Sequence, residues 1–210
     1  MLKFTYRTLP LLLVLLLGSA GSASAQNLSA FFGVGTATDK SNGIVPNFSQ
    51  DGTIGPKMTG TFGTFGAEFM VFKHLGIGGE YTAKFSQGDY SGLGYRPTFY
   101  DFNAIYQPIS FVDSKVVPEF QGGIGGATMH FYLNQAFCPV SNSSCTNASQ
   151  PLVNSNHFQL HGAAGVKLYV KGNIFIRPQI DLHYMTSYPE FGSKLVPQYT
   201  IAIGYTFGER

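Results

Sequence analysis

Apolar and polar residues alternate along most of this chain with a period of two, in segments about 10 to 15 residues long, against about 5 or 6 for a globular strand. A period of two is the side-chain repeat of a β-strand, whose successive Cβ atoms point to opposite faces. Ile174–Tyr184 shows it without interruption. Ile174, Ile176, Pro178, Ile180, Leu182 and Tyr184 fall on one face, and Phe175, Arg177, Gln179, Asp181 and His183 on the other. Near the C-terminus Tyr199, Ile201, Ile203, Tyr205 and Phe207 alternate with Gln198, Thr200, Ala202, Gly204 and Thr206. Between Phe158 and Val170 the apolar set opposes His157, Gln159, His161, Lys167 and Tyr169. Weaker versions over Leu28–Ala37, Lys57–Val71, Leu75–Ser86, Tyr95–Tyr106 and Lys115–Met129 bring the count to eight strands.

The length of the segments is informative, because a strand tilted by about 45° crosses a bilayer in roughly 9 to 11 residues. The connections alternate too. Phe72–His74, Gln107–Ser114 and Lys171–Asn173 are short, whereas Thr38–Pro56, Gln87–Gly94, Phe131–Asn156 and Thr186–Val196 are longer and rich in Ser, Asn, Gly and Pro. Short turns at one end and long loops at the other are the plan of a transmembrane barrel. Hydrocarbon offers no hydrogen bonds, so a sheet inside it must close and leave no edge. The fold expected is therefore all-β, an eight-stranded antiparallel up-and-down transmembrane β-barrel.

Composition agrees once it is sorted by strand face. Charged residues make up 11% of the chain, where soluble domains carry about 25%. A soluble barrel keeps an apolar inside and a charged outside; here the richly apolar face carries almost no charge. Ahead of the strands, Lys3 and Arg7 precede the apolar stretch Leu9–Leu17, and small residues lead to Ala23-Ser24-Ala25. That is the pattern of a secretory signal peptide, predicting a cleaved segment at 1–25 and a barrel domain at 26–210. Without Lys3 and Arg7, 13 minus 2 leaves 11 Lys and Arg against 11 Asp and Glu, a formally neutral chain. Neutrality argues against nucleic acid as a partner.

The strand Tyr199-Thr-Ile-Ala-Ile-Gly-Tyr-Thr-Phe207 resembles the C-terminal strand of bacterial outer-membrane barrels, which alternates and ends in an aromatic residue. Over Gln26–Phe207 the chain is similar to the small OmpA/OmpX-type barrels, although Gly208-Glu209-Arg210 follow the aromatic that usually ends such chains. The resemblance implies a place in the outer membrane, with lipid including lipopolysaccharide around it. It also implies that Tyr199, Ile201, Ile203, Tyr205 and Phe207 form the signal read by the barrel-assembly machinery.

Candidate chemistry concentrates on the inward face. Glu68, Glu80, Lys84, Asp101, Glu119, Lys167, Arg177 and Asp181 all take inward positions. Counting from Lys171–Asn173 sets Lys167 opposite Arg177, and counting across the third and fourth strands sets Glu80 near Asp101, with Glu68 beside them. Like charges side by side are unfavourable, and an eight-stranded barrel is only wide enough for side chains to fill it. Glu68, Glu80 and Asp101 are therefore expected to reach across to Lys167 and Arg177 and plug the lumen. Cys138 and Cys145, in the longest loop of a secreted chain, are expected to pair as a disulfide.

Other motifs carry less. His157 and His161 would share a helix face, but on a strand they lie about 13 Å apart and cannot share a metal. His183, with Ser187 and Glu190 beyond it, is faintly similar to the His/Ser/Glu set of lipid A deacylases. There the His and Ser stand two apart, and the residue two past His183 is Met185, so the nucleophile is missing. The glycine runs Gly76–Gly79 and Gly122–Gly126 lack the Lys-Ser/Thr of a phosphate loop and are expected to give the wall curvature and room for aromatic neighbours. Tyr95, Tyr100, Tyr106, Tyr184, Tyr199, Tyr205 and Phe207 fall near strand ends, where interfacial girdles form. No catalytic residue, cofactor or metal is expected. The function expected is that of a monomeric, non-enzymatic outer-membrane protein, structural or binding an extracellular ligand through its loops. A narrow solute pore and a lipid A-modifying enzyme are the alternatives.

Overall fold

The computed structural model describes residues 27–39, 57–90, 93–137, 146–187 and 193–208. Residues 1–26, with the expected signal peptide, lie outside them, as do Cys138, Cys145 and Glu190. The strands are β1 (Asn27–Ala37), β2 (Thr61–Met70), β3 (Leu75–Lys84), β4 (Gly88–Tyr90), β5 (Leu93–Tyr106), β6 (Val116–Phe137), β7 (Thr146–Lys171), β8 (Ile174–Met185) and β9 (Leu195–Phe207). β4 is a three-residue arm hydrogen-bonded to β5. The other eight make the wall. All their pairings are antiparallel, in the order β3-β2-β1-β9-β8-β7-β6-β5, and a further β3–β5 ladder closes the ring. Each wall strand thus has a neighbour on both sides, so the barrel has no edge to protect. The first and last strands are neighbours in the ring, with Leu28 opposite Phe207 and Ala37 opposite Gln198.

Face parity follows the sequence alternation. In β8 exposed and buried residues alternate over all twelve positions. The exposed six are Ile174, Ile176, Pro178, Ile180, Leu182 and Tyr184, and the buried six include Arg177, Gln179, Asp181 and His183. Water-soluble proteins do the reverse. Around the ring Phe32, Phe65, Ile77, Phe102, Phe120, Ile124, Leu160 and Ile201 are likewise exposed. A surface of this kind is solvated by hydrocarbon, with the backbone polar groups satisfied inside the closed sheet.

Two expectations are corrected. Tyr95 is not in a girdle but faces inward, because it shares parity with Phe99, Asp101 and Asn103 and opposes Tyr100 and Tyr106. Its hydroxyl accepts from the Lys57 amide at 2.8 Å and donates to the Lys57 carbonyl at 2.7 Å, pinning the chain that enters β2. The expected loop Phe131–Asn156 is mostly a continuation of β6 and β7, paired from Phe131 opposite Val153 to Phe137 opposite Thr146 across one register shift. Ser and Asn are poor strand formers, but a backbone ladder already running in the wall carries them along.

Glycine matters most where β6 presses on β5. A Cβ added at Gly125 would collide with the Tyr100 carbonyl oxygen, whereas one at Gly122 meets nothing within 4 Å. Gly125→Ala should therefore destabilise the barrel by about 1–3 kcal/mol, and Gly122→Ala by no more than about 0.5 kcal/mol. Urea unfolding of the two variants in detergent micelles checks the difference.

Candidate functional site

The interior is stacked in layers, and every wall strand contributes to it. At the end with the short turns lies an apolar cap of Phe31, Phe111, Val117, Tyr169, Phe175 and Ala202. Phe111 comes from the turn between β5 and β6, which is long enough to fold its ring in against Tyr169, 4.9 Å between centroids. Polar groups in this cap are satisfied locally: Thr206 Oγ1 lies 2.9 Å from Ser29 Oγ and 2.8 Å from Tyr169 Oη.

Above it sits a buried charge layer. Arg177 on β8 is 0% exposed. Its Nη2 donates to Glu80 at 3.0 Å and its Nη1 to Glu119 at 3.1 Å and to Glu68. Lys167 on β7 joins Glu119 at 2.9 Å and Glu68. The guanidinium also stacks 3.7 Å from the centroid of the Phe31 ring. Amides complete the set: Gln107 and Gln121 donate to Glu119 at 2.8 and 2.9 Å, and Gln179 donates to Glu80 at 3.2 Å. An unpaired buried charge costs several kcal/mol, so such a layer persists only when nearly every charge has partners. A guanidinium suits it because its planar fork holds several carboxylates at once.

A second polar layer lies toward the loops, around Asp101, Gln159, His161, Asp181 and His183. Asp101 accepts from Gln159 Nε2, and its other oxygen stands 3.8 Å from His183 Nδ1. His161 Nδ1 lies 2.9 Å from Asn103 Oδ1, and its Nε2 lies 3.2 Å from Asp181 Oδ1. The two imidazoles stack at 4.9 Å, and Phe99 stacks on His183 at 4.5 Å. A second apolar cap then closes the loop end, with Met58, Phe62, Tyr95, Phe99, Met129, Met185 and Val196.

The structure thus brings Glu68, Glu80, Lys167 and Arg177 together, and adds Glu119 to the pairing. It does not bring Asp101 to either cation. Asp101 stands directly opposite Glu80 in the β3–β5 register; Glu80 takes the guanidinium, and Asp101 turns to the histidine layer, which separates two like charges. Asp181 also belongs to that layer. Lys84 lies at the loop end, 5.1 Å from the Tyr95 ring centroid. His157 contacts Ser155 Oγ at 2.8 Å and takes no part in the His161 cluster. His183 faces the lumen at 1% exposure, so it cannot meet a lipid substrate at the outer wall. Tyr199, Ile201, Ile203, Tyr205 and Phe207 line the outer face of β9.

Sequence reasoning passed over the two caps and the histidine pair. The caps were signalled on β8, where the apolar residues Phe175 and Met185 bracket an otherwise polar inward face. The histidine pair did carry a signal: the count from Lys171–Asn173 that sets Lys167 opposite Arg177 also sets His161 opposite His183, as the β7–β8 register has it.

Removing the hub cation leaves Glu68 and Glu119 to Lys167 and Glu80 with only the amide donors Gln121 and Gln179. Arg177→Ala should cost about 3–5 kcal/mol, read as a lower urea midpoint, whereas loss of the exposed Lys73–Asp113 pair, 3.1 Å apart in the turns, should cost less than about 1 kcal/mol.

No family profile matches this sequence, and no curated protein matches it. Solved structures do match its fold. Neisserial surface protein A superposes with a TM-score of 0.52 at 13% identity, covering 88% of this chain and 98% of that one. OprG from Pseudomonas aeruginosa gives 0.54 at 16% identity over 90% and 98% of the two chains. A major outer membrane protein from Thermus thermophilus gives 0.58 at 11% identity over 87% and 100%. The likeness is one of fold, and the fold is that of the small eight-stranded outer-membrane β-barrels.

Proposed function

We propose that this protein is a monomeric, non-enzymatic outer-membrane barrel with a closed interior, acting through the end that carries its long loops. The observation that carries this reading is the interior itself: a charge layer and a histidine layer held between two apolar caps. Ions crossing it would have to displace Phe62, Phe99, Met129 and Met185 at one end and Phe111, Tyr169 and Phe175 at the other. A narrow pore is disfavoured on the same ground, and a lipid A-modifying enzyme by the inward burial of His183.

The exposed apolar wall supports a home in lipid, including the lipopolysaccharide of the outer leaflet. Residues 1–25 read as the signal that starts the route there, and β9 as the strand recognised by the barrel-assembly machinery. The loop end offers the surface for an extracellular partner. β5 follows β6 only as far as Leu133, and β8 meets β7 only from Gln159 onward. Thr146–Phe158 therefore has β6 as its one ladder partner, about 40 Å of strand length. Leu152 and Val153 on this arm are 57% and 56% exposed.

Planar bilayer recordings test the closed interior. The wild-type chain should give no stable unitary current, and well-resolved open-channel steps would overturn the reading. Protease added to intact cells should cut the β6–β7 arm and leave the wall strands whole; an uncut arm would put the loop end on the wrong side of the membrane.

A further inference from the structure

The charge layer uses all its cations on glutamates. Lys167 and Arg177 bridge Glu68, Glu80 and Glu119, and neither bridges Asp101 or Asp181. Two buried carboxylates therefore stand in the histidine layer without a Lys or Arg partner among the described residues. His183, 1% exposed, has no partner within hydrogen-bond distance on either ring nitrogen, Asp101 Oδ2 standing 3.8 Å from its Nδ1, and Asp181 Oδ2 has none either. Buried polar atoms are nearly always satisfied, so a cluster of orphans around two uncompensated charges is a place built for something else.

We propose that Asp101, His161 and His183 bind a divalent transition-metal ion of the zinc class inside the barrel, with Asp181 beside it. The three side chains are buried, and each offers a ligand atom within 4.8 Å of the others. Bonds of about 2.1 Å in a tetrahedron bring ligand atoms to about 3.4 Å from one another, which small χ rotations of the three side chains supply. Two imidazoles and a carboxylate favour zinc, cobalt, nickel or copper over calcium and magnesium, which take all-oxygen shells. One dication also cancels the charges of Asp101 and Asp181.

The surroundings are those of a supported ligand set. Gln121 donates to Glu119 and Glu80, so its carbonyl is free to accept from Asn103 Nδ2 at 2.9 Å. Asn103 Oδ1 then accepts from His161 Nδ1–H at 2.9 Å, which turns the Nε2 lone pair toward the cluster. A hydrogen bond of this kind on the far nitrogen fixes the tautomer and orientation of metal-bound histidines. Gln159 holds Asp101 in the same way. The ligands come from β5, β7 and β8, so the ion would tie β5 to strands on the far side of β6.

The experiment folds the chain into detergent micelles with one equivalent of Zn2+ or Co2+, followed by chelator and gel filtration. The wild-type barrel should retain about one ion per chain and, with Co2+, show the intense visible absorption of a four- or five-coordinate N/O site. His183→Gln and Asp101→Asn should each lower retention at least about tenfold, with heat-modifiable gel migration reporting that the barrel still forms. A variant lacking His74, His130 and His157 should retain the ion as the wild type does. Zinc lost to the chelator from the wild type, or retention that follows the three outer histidines, would overturn the site. If the substituted barrels do not fold, the wild-type cobalt spectrum still decides: weak six-coordinate absorption rejects the proposal.

Discussion

A closed sheet of eight strands has an interior of fixed, small width, and most of what distinguishes this protein follows from that. Every second residue of every wall strand is committed to the same narrow column, so inward side chains from opposite walls must share it. Arg177 shows the result. Its guanidinium, from β8, meets carboxylates of β2, β3 and β6 and the ring of Phe31 on β1. Strands that share no backbone hydrogen bond are thereby joined through one side chain.

The same width makes polarity costly and useful at once. With water excluded by an apolar cap at each end, electrostatic attraction is strong but so is the penalty for a group without a partner. The glutamines are part of the answer. Gln107, Gln121 and Gln179 bring donors to carboxylates without adding net charge, in a layer where three Glu already outnumber Lys167 and Arg177. The outer face needs no such arrangement, because lipid asks only that the side chains be apolar.

The sequence made strand number, closure and facing readable, because each is a matter of parity along a segment. Height along the barrel axis is different: it depends on tilt and stagger summed around the ring. Register alone does not settle the layer either: Glu80 and Asp101 stand directly opposite each other, yet Glu80 takes the guanidinium and Asp101 turns to the histidine layer. His161 and His183, 22 positions apart in the chain, fall opposite each other on the same turn count that pairs Lys167 with Arg177. Tyr95 was a lesser miss, since its parity with Phe99 already set it inward. The β6–β7 arm was hidden because its Ser- and Asn-rich composition reads as loop, while its ladder is inherited from the wall below.

The β1–β9 seam has a consequence for how the molecule is made. It pairs residues 28–37 with residues 198–207, the greatest sequence separation among the wall pairings. Contacts so distant are slow to form, since the whole intervening chain must first be gathered. The ring cannot shut until its last strand arrives, and until then the interior stays open along one side. Whatever the finished barrel holds between its two caps is therefore chosen before that final step, and the seam acts as the door by which the core is both filled and locked.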